Sequence, residues 1–298
     1  MMTLKQSESR LEPFVDDVRA HYDLSDEFFG LFLDPSMTYS CAYFEHEDMT
    51  LEEAQMAKID LALGKLDLRP GMTLLDIGCG WGALAERAVE KYDVNVIGLT
   101  LSHNQYDRAR KVVADLSSTR TAEIRLQGWE DFDEPVDRIV SIGAFEHFRR
   151  QRYTAFFAKA RSILAPDGRM LLHTIVVSPP AASADAVGLT RDDAHFLRFI
   201  MRDIFPGGQL ALAAMVKSKA AESGFELERE HALGPHYART LDQWAQRLIG
   251  SRERAVALSS EENYDKYVLY LTGCSSRFKD SRIDVVQFTL TPRPDPMM

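Results

Sequence analysis

Leu74-Leu75-Asp76-Ile77-Gly78-Cys79-Gly80-Trp81-Gly82 decides the reading of this chain. The stretch follows an apolar strand and opens a helix, so its glycines let backbone approach a ligand and aim amides at it from a strand's C-terminal end. Two cofactors compete for such a loop. Gly78, Gly80 and Ala83 satisfy the loose G-x-G-x-x-A form of a dinucleotide fingerprint. Three features favour S-adenosylmethionine. Asp76 can order the loop or meet the amino group of the methionine moiety, and Gly82 gives a G-x-G-x-G spacing. Gln127-Gly128-Trp129-Glu130-Asp131-Phe132 ends the third strand where an adenine would lie. The second strand ends in Gly98-Leu99-Thr100-Leu101-Ser102 with no carboxylate for the ribose hydroxyls, leaving Thr100 or Gln105 to substitute.

Working outward, Thr73–Ile77, Val94–Leu99, Glu123–Gln127, Arg138–Ile142 and Arg169–Ile175 read as strands separated mostly by helices, an alternation that predicts a parallel α/β sheet. Upstream, Ser25 can cap a short helix through Leu33 that Asp34-Pro35 ends. Thr50-Leu51-Glu52-Glu53 is a capping box opening a helix to about Leu66. Downstream, the Pro/Ala/Ser stretch from Ser178 to Ala186 reads as a mobile loop. An apolar helix with Phe196, Leu197, Phe199, Ile200, Met201 and Ile204 follows, stopped by Pro206-Gly207-Gly208. Core packing is its plain explanation; an excursion this long between strands also suits a lid around an apolar substrate. The Pro-rich tail after Leu290 reads as a frayed end.

With 298 residues and 45% hydrophobic content, the chain can bury a sizeable core. Its formal charge of −10 argues against nonspecific nucleic-acid binding. The excess is local, because Met1–Asp60 holds 4 Lys/Arg against 14 Asp/Glu. Arg149, Arg150, Arg152, Arg191, Arg198 and Arg202 can therefore form a basic patch, or simply a solvated surface of mixed charge. Cys41, Cys79 and Cys274 are odd in number and widely spaced, which fits reduced thiols rather than disulfides or a metal cluster. Without a secretory pattern or a long apolar run, the expected location is cytoplasmic.

Beyond the glycine loop, further motifs stand out: His21-Tyr22-Asp23, Thr38-Tyr39-Ser40-Cys41-Ala42-Tyr43-Phe44, Gly143-Ala144-Phe145-Glu146-His147-Phe148, Ile204-Phe205-Pro206-Gly207-Gly208, Pro235-His236-Tyr237 and Tyr270-Leu271-Thr272-Gly273-Cys274. Together these resemble the mycolic acid cyclopropane synthase family, within the broader cyclopropane-fatty-acid synthases, from roughly Val18 to Leu290. The resemblance implies a Rossmann-like class I methyltransferase with a mixed seven-stranded sheet, all in one domain. Residues 1–70 would be an N-terminal helical cover, 71–177 the cofactor-binding core, 178–224 an inserted helical lid, and 225–298 the rest of the sheet and helices.

It also implies an S-adenosylmethionine-dependent enzyme that adds a methylene across a double bond of a very long acyl chain carried on acyl carrier protein, with at most peripheral membrane contact. Tyr39, Ser40, Asp76, Gly78, Gly80, Gly82, Thr100, Leu101, Gln105, Trp129, Glu130 and Ile142 would contact the cofactor. Bicarbonate would sit among Cys41, Glu146, His173 and Tyr237, with Tyr22 nearby and Cys41 acting positionally rather than as a nucleophile.

The chemistry suits these residue types. An alkene is a poor nucleophile, so the sulfonium methyl must be held in line with it, and attack leaves a carbocation that aromatic faces such as Tyr22, Tyr39 and Tyr237 can stabilise. A base must then remove a proton from the transferred methyl group to close the ring. Taken singly, each residue has an ordinary reading: His173 a core histidine, Glu146 a helix cap, Tyr22 and Tyr237 core aromatics, Cys274 an inert thiol. Within the resemblance, Phe148-Arg149-Arg150-Gln151-Arg152-Tyr153 replaces a usually Gly-bearing stretch. Two other readings stay open: a hydroxylating, methyl-branching relative, or a noncatalytic cofactor- or lipid-binding homologue.

Overall fold

The apolar runs read as strands are strands, with shifted ends: β1 (Thr73–Ile77), β2 (Asn95–Thr100), β3 (Ala122–Leu126), β4 (Val136–Ile142) and β5 (Leu164–Val177). The structure, a computed structural model, describes residues 11–13, 24–177 and 190–294. Tyr22 and the Ser178–Ala186 stretch lie outside the described residues. The strand order is β3-β2-β1-β4-β5-β8-β7, where β7 is Phe225–Ala232 and β8 is Ile283–Pro292; a two-residue β6 (Ala211–Leu212) pairs with β5 as an eighth strand. β1 to β5 run parallel, whereas β8 is antiparallel to both β5 and β7. The alternation of runs foretold only the parallel half; the antiparallel edge came with the family resemblance. The tail expected to fray after Leu290 instead continues β8, with Pro292 opposite Phe225.

Order reverses between β1 and its neighbours β2 and β4, which opens a crevice at the strands' C-terminal ends. The N-terminal segments cover that end. α1 (Asp26–Phe29) is capped by Ser25 as expected but stops at Gly30, not Leu33. Tight bonds from the Leu31 and Phe32 amides to the Phe28 and Phe29 carbonyls replace helix, so the fully buried rings of Phe28, Phe29 and Phe32 turn into one aromatic cluster with Tyr267. α2 (Leu51–Gly64) opens with the predicted capping box of Thr50 and Glu53. Its buried stripe, Leu51, Ala54, Gln55, Lys58, Ile59, Ala62 and Leu63, is apolar except for Gln55 and Lys58. Such placement calls for partners, because an unpaired buried lysine is costly.

The remaining helices are α3 (Ala83–Tyr92), α4 (His103–Ala114), α5 (Tyr153–Ile163), α6 (Arg191–Phe199), α7 (Ala213–Glu222), α8 (Gly234–Gly250), α9 (Arg252–Leu258) and α10 (Glu261–Lys279). The expected apolar helix is α6 followed by a π-helical turn over Ile200–Ile204. α6 is anchored to α10 and the turn after it: Asp193 pairs with Arg277 at 3.3 Å and with Arg282, and the Arg277 guanidinium lies 3.7 Å from the Phe196 ring centre. A Cβ on Gly273 would come within 2.3 Å of that ring, so glycine in Tyr270-Leu271-Thr272-Gly273-Cys274 makes room for Phe196. No described helix is long and apolar enough to cross a membrane.

Candidate active site

Gly78 follows β1 with φ +86°, and a Cβ there would stand 2.5 Å from the Ala144 Cβ, so only glycine lets loop and β4 end approach so closely. Gly80 (φ +55°) has open space where its Cβ would be. The amides of Gly78 and Cys79 both donate to the Leu99 carbonyl at 2.9 Å, and that of Gly82 to the Cys79 carbonyl at 3.1 Å. These three amides fasten the loop to β2 and to itself, and Gly78 contributes close approach.

Around the loop, a cleft holding about 980 Å³ of empty space, part of it open to solvent, is lined by Tyr39, Ser40, Asp76, Gly78, Gly80, Thr100, Leu101, Gln105, Trp129 and Ile142. Two expected cofactor residues stand apart from this lining. Gly82 precedes α3 at φ +99°, where a Cβ would meet Ala109 of α4 at 3.1 Å, so it packs helices together. The Glu130 carboxylate pairs with Arg152 at 3.2 Å. At the end of β2, the Thr100 hydroxyl donates to Gln105 Oε1 at 2.8 Å, joining the two residues expected to replace a ribose-binding carboxylate.

Asp76 is almost fully buried, and its Oδ2 has no hydrogen-bond partner among the described residues. Burial pushes its carboxyl up to about 7, with Lys58 opposing the shift. Lys58, which sequence reading passed over, donates to the Ser40 hydroxyl at 2.6 Å, and burial lowers its ammonium to about 8. Gln55 holds the same segment by donating to the Thr38 and Ser40 carbonyls at 3.2 and 2.8 Å. These two polar side chains on the apolar stripe of α2 therefore lay Tyr39-Ser40-Cys41 over the cleft. Polar residues at buried helical spacing were the signal that could have found them.

A buried polar cluster sits directly behind the cleft wall. His173 is on β5, its carbonyl accepting from the Gly143 amide at 3.0 Å. Two residues along, the Ile175 amide donates to Glu146 Oε1 at 2.7 Å, which brings Glu146 to the same strand. Glu146 Oε2 and His173 Nε2 are buried without partners among the described residues. Burial raises the Glu146 carboxyl and, with Lys58 and Lys65 nearby, holds His173 well below the usual histidine range. Tyr237 of α8 is raised well above the ordinary phenol by burial, with Tyr270, Cys41 and Glu146 among the groups acting on it. Cys41 is wholly buried, its thiol donating to the Ala42 and Leu233 carbonyls at 3.1 and 3.8 Å, and burial raises it far above the reactive range. Tyr237 thus lies in electrostatic reach of Cys41 and Glu146, and Glu146 bonds the strand that carries His173. Cys274 is likewise raised, to about 12.

The arginine patch is largely committed elsewhere. Arg150 donates to the Leu210 carbonyl at 2.6 Å, Arg152 to the Glu12 carbonyl and Glu130, and Arg202 pairs with Asp203 at 2.7 Å. Arg149 adopts φ +56°, ψ 138°, a region natural to glycine.

The description of the mycolic acid cyclopropane synthetase family matches residues 9–288. The chain belongs to this family. It is 58% identical over 281 residues to cyclopropane mycolic acid synthase MmaA2 of Mycobacterium tuberculosis, covering 94% of this chain and 98% of that one. Cyclopropane mycolic acid synthase 1 of the same organism is 57% identical over 280 residues, with the same coverage. Among solved structures, MmaA2 superposes with a TM-score of 0.93 at 57% identity, covering 95% of this chain and 99% of that one. The mycolic acid cyclopropane synthase CmaA1 complexed with SAH and CTAB gives 0.92 at 56%, with equal coverage. Coclaurine N-methyltransferase, at 23% identity and a TM-score of 0.74, shares the fold. The mixed α/β sheet is that of the S-adenosylmethionine-dependent methyltransferases.

Proposed function

We propose that this family member is an S-adenosylmethionine-dependent cyclopropane synthase acting on a double bond of a very long acyl chain, a mycolic acid precursor on acyl carrier protein. The observation that carries the reading is the buried pair of unpartnered atoms, Glu146 Oε2 and His173 Nε2, set with Tyr237 behind a glycine-loop cleft. A methyltransferase for a strongly nucleophilic acceptor needs no such set. The cleft fits S-adenosylmethionine: Gly80 leaves open space, Asp76 offers an unpartnered carboxylate oxygen to an amino group, and Thr100 at the end of β2 and Gln105 at the start of α4 stand where ribose hydroxyls would lie. When bound, the cofactor supplies an electrophilic methyl group.

The buried cluster fits a small oxyanion such as bicarbonate, because it combines orphaned polar atoms with Lys58 and Lys65 close by. That ion would supply the proton acceptor for ring closure. Glu146, His173, Tyr237 and the Cys41 backbone would hold it, while the aromatic walls keep water away from a cationic intermediate. Tyr39, whose hydroxyl donates to that of Tyr270 at 3.3 Å, and Tyr237 supply such faces. The whole chain would act as one unit, with residues 178–224 as the wall over an apolar substrate. A relative's complex with SAH and CTAB, a lipid-like detergent, supports the substrate class. Acyl carrier protein and a cytoplasmic setting rest on the family resemblance.

The test is mass spectrometry with proton NMR of a long-chain unsaturated acyl carrier protein incubated with the enzyme and S-adenosylmethionine. Gain of CH2 with upfield ring protons is expected. Gain of CH3 plus OH would move the chain to the hydroxylating branch, and no product across chain lengths would overturn the enzyme reading.

A further inference from the structure

Behind the buried cluster a chain of polar side chains runs toward the surface. Lys65, the residue after α2, donates to Gln287 Oε1 at 2.5 Å and to His231 Nδ1 at 2.9 Å. Gln287, wholly buried on β8, meets His173 Nδ1 through its amide nitrogen at 3.2 Å. Below about pH 8, where burial places its ammonium, Lys65 is charged and offers three N–H groups and no acceptor. The oxygen of Gln287 must therefore face Lys65, since a flipped amide would set two donors against each other in a buried place. That leaves the Gln287 NH2 pointing at His173 Nδ1, which must accept. The ring proton then falls on Nε2, the atom with no partner among the described residues.

We propose that Lys65 and Gln287 are positioning residues that lock His173 as the neutral Nε2–H tautomer, so that it presents a hydrogen-bond donor to an oxyanion in the buried site. Locked in this way, His173 has no free lone pair toward the site and takes no proton; it orients the acceptor of the proton. The cations Lys58 and Lys65 and the burial of the ring all disfavour an imidazolium, in agreement with this state. The role at the oxyanion rests on the function proposed above, whereas the tautomer itself does not.

The test is long-range proton–nitrogen NMR on histidine-labelled, ligand-free protein, with the His173 signals assigned by their loss in His173→Gln. The wild type is expected to show the Nε2–H pattern unchanged from about pH 6 to 7. Gln287→Glu, of nearly equal size, puts a carboxylate where it accepts from both Lys65 and His173 Nδ1–H. The ring proton should move to Nδ1 or occupy both nitrogens. With it, kcat should fall about 10- to 100-fold while KM for S-adenosylmethionine stays within about twofold. An Nδ1–H pattern in the wild type overturns the proposal even if Gln287→Glu fails to fold. So does a variant whose tautomer is unchanged, or one that switches tautomer at full kcat. Absence of cyclopropane product from the wild type would instead remove the function proposed above and leave the tautomer measurement standing.

Discussion

The cleft and the buried cluster behind it are adjacent, yet they are built in opposite ways. The cleft is local: Asp76 on β1 precedes Gly78 and Gly80 in the loop that follows, and Thr100, Leu101 and Gln105 run from the end of β2 into α4. The cluster gathers Cys41 from the N-terminal cover, Glu146 after β4, His173 from β5 and Tyr237 from α8, braced by Lys58, Lys65 and Gln287. Glycines shape the first; buried, incompletely partnered polar atoms shape the second. A site of the first kind binds by close approach, whereas one of the second has desolvated groups that lack other partners and can be satisfied by an ion.

The sharpest way to separate the two regions is to damage only one. Glu146→Gln keeps the size of the side chain but removes a carboxylate from the cluster. Ring formation should fall by about 10²- to 10⁴-fold, the range of an acid–base contribution, while calorimetric affinity for S-adenosylhomocysteine changes by less than about threefold. Equal losses in both would merge the regions into one.

Asp76→Asn tests the cleft side. The folded Asp76 carboxyl is raised to about 7, so the folded state holds this proton more tightly than the unfolded chain does. Wild-type stability therefore declines as pH rises from about 4 to about 7, and the cost is constant above that. The variant lacks this cost. Ligand-free Asp76→Asn should exceed wild type by about 2–4 kcal/mol at pH 8, an advantage that shrinks toward pH 4, and it should bind the cofactor more weakly. Chemical denaturation at the two pH values reads the difference; an advantage independent of pH would contradict the assignment.

The smallest expected effect lies one residue past Phe148, which lines the cleft. Arg149 occupies φ +56°, ψ 138°, a conformation costing a non-glycine residue about 1–3 kcal/mol. Arg149→Gly should stabilise the protein by a net amount of about 1 kcal/mol, after glycine's own entropic cost, and leave kcat unchanged. A lower melting temperature would show that the arginine's contacts outweigh its backbone strain.

The same contrast explains what the sequence revealed. The parallel strands, the capping box at Thr50 and the glycine loop are local patterns with local causes, and they stand where expected. The antiparallel β7–β8 edge and the cluster depend on contacts between residues far apart in sequence, such as Lys65 with Gln287. Glu146, His173 and Tyr237 became visible only through family motifs, because each alone reads as a cap or a core residue. Lys58 and Gln55 carried a legible signal, polar side chains on a buried stripe. Gln287 carried none, since one glutamine in a strand gives no hint of the histidine beside it.

The central claim is that an oxyanion held by the cluster removes a proton from the methyl group delivered at the cleft. Its most direct test uses S-adenosylmethionine carrying a CD3 methyl with an unsaturated long-chain acyl substrate, and reads the deuterium content of the product by mass spectrometry. The account predicts a cyclopropane that has gained CD2, one deuterium having been lost in ring closure. A product that retains CD3 would contradict it.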